Sequence, residues 1–222
     1  MDVLIFGATG MVGQGVLREC LLDPGVVRVQ TVGRTATGVQ HAKLREVVHA
    51  DLMSYATIEA QLRGFGACFF CLGISSAGMR EADYERVTYG ITMAAAEALA
   101  RLNPGMTFVY VSGAGTDSSE RGRMMWARVK GKTENALLRL PFKAAYMFRP
   151  GAIQPLHGVR SKTAAYRVLY SLTAPLLPVL RRIIPGLILT TDQIGRAMLV
   201  VARRGAPKPI LESRDISALA PE

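Results

Sequence analysis

The sequence predicts an α/β fold, a doubly wound parallel sheet with a small C-terminal cap, and three observations carry that prediction. Short apolar runs alternate with amphipathic helical patterns from the first residue onward. A glycine-rich turn follows the first run directly and opens the first helical pattern. No repeat, low-complexity tract or long linker interrupts the 222 residues, so they read as a single domain with residues 151–190 forming the cap within it.

The elements follow in order. "DVLIF" is a short strand, and "GMVGQGVLRECLL" places Val12, Val16, Leu17, Cys20 and Leu21 at helical spacing until "DPG" stops the helix. "VVRVQTVG" and "LREVVHAD" are the second and third strands. "YATIEAQLR" predicts a helix and "ACFFCLG" a buried strand. "READYERVTYGITMAAAEALARL" predicts one long helix closed by "NPG". "TFVYVS" is a strand, "GAGTDSSERG" a polar loop, and "MMWARVKGKTE" begins the next helix. "AAYMFRPG" is a strand. "TTDQIGRAMLVVARRG" is an amphipathic helix with a Thr/Asp start and a glycine stop, and "KPILES" reads as a final edge strand. Near-continuous apolar strands separated by helices imply a parallel sheet covered on both faces.

Composition narrows the function classes. The formal net charge of +10 is uneven: residues 1–120 hold 9 Lys/Arg against 12 Asp/Glu, and residues 121–222 hold 18 against 5. A basic half suits a phosphate-bearing ligand, an anionic membrane surface or nucleic acid. No zinc-finger, homeodomain or RNA-recognition signature is present, so nucleic acid is set aside. The longest uncharged apolar stretch, "VLYSLTAPLLPVL", is shorter than the ~20 residues a spanning helix needs. No secretory signal opens the chain, and three cysteines fit a reducing compartment, so the expectation is a soluble, cytoplasmic protein. Cys68 and Cys71 form a C-x-x-C pair inside a predicted strand. There an offset of three points the side chains to opposite faces, which argues against a redox motif. His41, His49 and His157 are scattered and suggest no metal site.

"GATGMVG" carries the chemistry. Gly7, Gly10 and Gly13, with Thr9, Met11 and Val12 between them, sit in the strand–turn–helix context of a dinucleotide site. Backbone without a Cβ can approach a pyrophosphate, and the helix N-terminus offers free N–H groups. At the end of the second strand, "TVGRT" places Arg34 where an NAD-selective site carries an acid, which favours NADP over NAD. Asp51, next to Leu52 in "HADL", is placed to accept from an adenine amino group, or else caps a helix or lies in a solvated loop.

With these residues in hand, the chain resembles the atypical, epimerase-like branch of the short-chain dehydrogenase/reductase superfamily. It is most similar to the small Tat-interacting-protein-like oxidoreductases. The resemblance runs through "GATGMVG", "VGRT", "ADL", "CLG" with Leu72 and Gly73, "VSGAG", "VKGKTE" and "FRPG" with Pro150 and Gly151. It implies a seven-stranded Rossmann-type sheet, a cofactor that is usually NADP, and a Ser/Tyr/Lys active site. Ser112 falls on the serine and Lys130 on the lysine, which ordinarily holds the nicotinamide ribose and lowers the tyrosine's pKa. Trp126 stands in the tyrosine's place, and none of the seven tyrosines has a lysine four residues on. Thr88 lies near where many relatives carry an asparagine in the proton relay. An indole N–H donates but does not titrate usefully, so ordinary carbonyl reduction is expected to be severely weakened.

Three readings remain at this stage. One is an NADP-dependent oxidoreductase acting on a carbonyl or sugar-like substrate, its proton coming from Ser112, Ser118, Ser119 or a lysine-held water. The second is a catalytically silent NADP(H)-binding redox sensor or partner-binding module. The third is a peripheral membrane or scaffold protein. Residues 160–189 hold five basic residues, no acids and many large aliphatics, which suits a homodimer contact, an anionic lipid surface or plain packing on a sheet edge.

Overall fold

The computed structural model describes residues 1–158 and 186–221. Most of the cap region, and residues 160–185 of the segment expected to self-associate, lie outside the described residues. The main sheet has seven strands, all parallel: β1 (Asp2–Phe6), β2 (Arg28–Gly33), β3 (Leu44–Val48), β4 (Ala67–Phe70), β5 (Thr107–Val111), β6 (Ala144–Arg149) and β9 (Ile210–Glu212). Their order across the sheet is β3-β2-β1-β4-β5-β6-β9, reversing direction at β1. In such a sheet, ligands bind beyond the carboxyl ends of the strands at that reversal. A separate two-stranded parallel pair joins β7 (Ala152–Gln154) to β8 (Ile188–Thr190).

The strand pattern splits the core into two layers because successive side chains point to opposite faces. Val3 and Ile5 of β1, Val29, Phe69 and Val109 pack under helix α1 (Met11–Leu22) and helix α5 (Thr191–Arg204). Leu4, Phe6, Cys68, Phe70 and Phe108 face the other way, toward α3 (Ile91–Leu102) and α4 (Met125–Leu137). Phe6 stacks on Phe70 at 5.3 Å between centroids, and Phe70 on Phe108 at 5.9 Å, which ties three strands together. Cys68 belongs to one layer and Cys71 packs against the other, so the C-x-x-C sulfurs sit on opposite sides of the sheet.

Helices α1 and α5 meet through glycines. A Cβ on Gly15 would lie 2.5 Å from the Thr191 Cβ, and one on Gly195 would lie 2.9 Å from the Glu19 Cβ. The start of α5 is fixed by a capping box: the Gln193 N–H donates to Thr190 Oγ1, and the Thr190 N–H donates to Gln193 Oε1, both at 3.0 Å. A short helix α6 (Ser213–Leu219) follows β9.

Two expectations need correction. "YATIEAQLR" forms a 3₁₀ helix over Ala56–Leu62 and not an α-helix. Within its seven residues only Ile58 and Leu62 are buried, and Gly64 at φ +80° turns the chain just beyond it. The predicted long helix is α2 (Glu81–Glu85) running through a π turn at Arg86–Gly90 into α3. A π turn inserts one residue into an otherwise continuous helix, and hydropathy periodicity does not register it.

Candidate functional site: a dinucleotide cleft beside a Ser/Trp/Lys constellation

The turn after β1 is shaped by contacts that only glycine permits. Gly7 has φ +78°, and a Cβ there would meet the backbone of Cys71 and Leu72 at 2.7 Å. A Cβ on Gly13 would lie 2.1 Å from the Gly7 oxygen. The Gly10 N–H donates to that oxygen at 2.9 Å, closing the turn from which α1 starts. No side chain caps the N-terminus of α1, and its first turn holds no acid, so the positive dipole end at this turn is uncompensated.

A cavity of about 370 Å³ opens here, lined by Gly7, Thr9, Arg34, Leu52 and Leu72 among the expected residues. Thr31, Gly33, Thr35 and Thr37 add to the wall at the end of β2. Gly10, Met11, Val12, Gly13, Gly73, Pro150 and Gly151 are not part of this wall. Gly10 and Gly13 act by shaping the turn. The Asp51 carboxylate accepts the Met53 N–H at 2.9 Å, so one of its oxygens serves its own loop. Arg34 is exposed and pairs with no acid among the described residues. Glu46, which the linear reading passed over, reaches the end of β2 from the neighbouring strand. It accepts the Thr37 N–H at 2.6 Å and the Thr31 hydroxyl at 3.3 Å. Its signal is register, Thr31 opposite Glu46, which sequence alone does not display.

Just past β5, Ser112 and Lys130 of α4 come together. The Lys130 ammonium donates to the Ser112 carbonyl oxygen from one α-helical turn beyond Trp126. Burial draws the Lys130 pKa down to about 8, partly offset by the Glu134 carboxylate. The Ser112 hydroxyl donates to the Phe148 carbonyl at 3.1 Å. Trp126 is half-buried and packs over Gly115, where a Cβ would lie 3.5 Å from the indole ring. Among the described residues its N–H has no hydrogen-bond partner. The other serines named as proton donors are engaged elsewhere: Ser118 Oγ accepts from Arg149 at 2.6 Å, and the Ser119 hydroxyl donates to Asp117 at 2.6 Å.

The support beneath these groups was not foreseen from the sequence. Arg149 at the end of β6 donates to fully buried Glu134 on α4, to Ser118 in the loop and to Glu212 on β9. The loop itself is organised by Asp117, whose carboxylate accepts the Ser119 hydroxyl and the N–H groups of Ser119, Arg121 and Gly122. The Ser119 hydroxyl first, then the Gly122 N–H, hold its pKa below the ordinary value. The Asp117 carbonyl rests on α4 so closely that a Cβ at Gly131 would lie 1.8 Å from it. The glycine of "VKGK" was therefore a legible signal, since glycine inside an amphipathic helix costs stability unless a close approach requires it. The buried thiols are inert by comparison, with burial raising Cys68 well above its ordinary value and Cys71 to about 12.

The NAD(P)H-binding family matches residues 7–140 of the chain. The protein FMP52-2, mitochondrial, of Scheffersomyces stipitis is 32% identical over 152 residues, covering 67% of this chain and 65% of that protein. The protein fmp52, mitochondrial, of Emericella nidulans is 29% identical over 159 residues, covering 68% and 66%. Among solved structures, the Bordetella bronchiseptica enzyme WbmF in complex with NAD+ superposes with a TM-score of 0.69 at 14% identity, covering 98% of this chain and 76% of that one. The YIR035C short chain dehydrogenases/reductase from Saccharomyces cerevisiae gives 0.66 at 14% identity, covering 99% of both. The mitochondrial names of these sequence relatives overturn the cytoplasmic expectation. That expectation rested on features that argue against export and do not separate cytosol from organelle. With 7–140 matched, more than half its length, the chain belongs to the NAD(P)H-binding family.

Proposed function

We propose that the protein is an NADP(H)-dependent oxidoreductase of carbonyl compounds in which Lys130 handles the proton that a tyrosine supplies elsewhere in the superfamily. The observation that carries this reading is the position and acidity of Lys130: it lies against Ser112, one turn from Trp126, with a pKa of about 8. A general acid works best with a pKa near the operating pH, and an unperturbed lysine does not meet that condition.

The cleft's clearances fit a dinucleotide: close backbone at Gly7 and Gly13, an uncapped helix start, and a cavity walled by residues from both sides of the sheet reversal. The turn from Gly7 to Gly13 would hold the pyrophosphate, Arg34 a 2′-phosphate, Leu52 and Leu72 the adenosine, and Lys130, Pro150 and Gly151 the nicotinamide end. Bound NADPH supplies hydride to a carbonyl carbon. The protein's share is to deliver a proton from the Lys130 ammonium to the carbonyl oxygen, directly or through one water, leaving an amine that regains its proton from solvent. Arg34 without a partner acid favours NADP, and Glu46 is tied to the end of β2 through one oxygen, Oε2, which accepts from both Thr31 and Thr37.

Carbonyl reduction needs the ammonium form, so its rate should fall as pH rises through about 8, while alcohol oxidation needs the amine and should rise over the same interval. Measuring both limbs for wild type and Lys130→Met tests the assignment. A reduction rate flat from pH 6 to 10, or full activity in Lys130→Met, would remove Lys130 from the proton's path. The alternative is a silent NADP(H)-binding sensor. Trp126 and the Ser112 hydroxyl turned to Phe148 favour it, and it predicts tight cofactor binding with no turnover at any pH.

A further inference from the structure

A second cavity, about 490 Å³, opens beside the constellation, beyond the carboxyl ends of β6 and β9. Ala114, Gly151, Ala152, Leu187 and Ile188 form most of its wall. Ala114 lies two residues after Ser112, and its N–H donates to the Pro150 carbonyl at 2.9 Å. The next residue, Gly115, is the one against which Trp126 packs. The cavity therefore begins where the reacting groups end.

Among the described residues its polar members are Glu212, Ser213 and Arg214, and the first two are already engaged. Ser213 Oγ accepts the Gly151 N–H at 2.7 Å. The Glu212 carboxylate accepts from Arg149 at 3.3 Å and caps the first turn of α6. Arg214 lays its stem beside Gly186 and is exposed, which leaves its charge at the rim. A polyhydroxylated ligand would surrender hydrogen bonds to water here and find few replacements, whereas an apolar body gains by leaving water. A site that discriminates among hydroxyl patterns presents free, convergent polar groups, and among the described residues this wall does not.

We propose that this cavity receives the body of an apolar aldehyde or ketone, and that sugars and nucleotide sugars are not substrates. The inference rests on the oxidoreductase reading for the word substrate, but the cavity's preference can be measured without turnover. Titrate 1-butanol, 1-hexanol and 1-octanol, then glucose and UDP-glucose, into the NADPH complex by calorimetry; an alcohol and a reduced cofactor cannot exchange hydride. Affinity should rise roughly fourfold per added methylene, and the sugars should give no binding. Ala152→Trp fills the cavity from an exposed strand position, and should weaken octanol at least tenfold while NADPH affinity is unchanged. Ile188→Ser, which makes the wall polar without adding bulk, should flatten the chain-length dependence. UDP-glucose binding as tightly as octanol, no chain-length dependence in the wild type, or an Ala152→Trp protein with intact octanol affinity would overturn the proposal. Turnover of octanal is the separate arm. Octanol binding with the expected dependence and no reduction of octanal upholds the cavity's preference and removes the oxidoreductase reading.

Discussion

Trp126 is the one indole in the chain, so its emission reports on a single place. Lys130 lies one turn further along the same face of α4, and the reduced nicotinamide absorbs where tryptophan emits. NADPH should strongly quench the protein's fluorescence and give sensitised cofactor emission, while NADP⁺ should bind without the sensitised signal. Tight NADPH binding with unchanged emission would place the indole away from the cofactor. Trp126→Tyr should raise carbonyl reductase activity by up to ~10²–10⁴, the range a positioned acid contributes. In the cavity at the end of β2, Arg34→Ala should weaken NADPH by about 1.5–3 kcal/mol and leave NADH nearly unchanged. Equal wild-type affinities for the two cofactors would dismiss that role for Arg34.

Between strands and helices, the buried Arg149–Glu134 pair joins β6 to α4, and Glu212 extends it to β9. Removing one member of such a pair leaves a charge with no water to replace its partner, so Glu134→Ala should cost about 3–5 kcal/mol in urea unfolding. A loss below 1 kcal/mol would mean the site relaxes to admit water. The strands and most helices were legible because alternation and capping are local: "DVLIF" sorts its residues to two faces, and "TTDQ" carries its own cap. The glycine turn was legible because tight backbone approach leaves a residue-type signature. Glu134, Glu46 and Asp117 were not, because their roles come from partners on other strands or loops. Nor was the π turn, since helical spacing reads the same on either side of a single inserted residue.

For the molecule as a whole, cofactor binding and stability are one equilibrium. NADPH at about 100 times its Kd should add ~2.7 kcal/mol, a rise in Tm of roughly 5–10 °C for a chain of this size. Gly13→Ala, with no space for its methyl beside the Gly7 carbonyl, should lose that ligand-dependent rise. A thermal shift retained in this variant would show that the turn is not where the cofactor is held.

The glycine seam between α1 and α5 has a consequence for how the protein is made. The family match ends at residue 140, yet the layer that covers β1 on that face is completed by Ile194, Ala197, Met198 and Val201. The helix that opens the nucleotide turn thus leaves the ribosome with one flank bare, and its cover arrives only with residue 204. At ~5–20 residues per second, the 182 residues from the end of α1 at 22 to 204 take roughly 9–36 s to emerge. Through that interval Val16 and Leu17 have no neighbour from α5, and exposed apolar side chains of this kind are what holdases bind. A ribosome stalled at residue 158 should accordingly hold a polypeptide that binds holdases and no NADPH. One stalled with residue 204 clear of the exit tunnel should hold a polypeptide that has exchanged the first for the second.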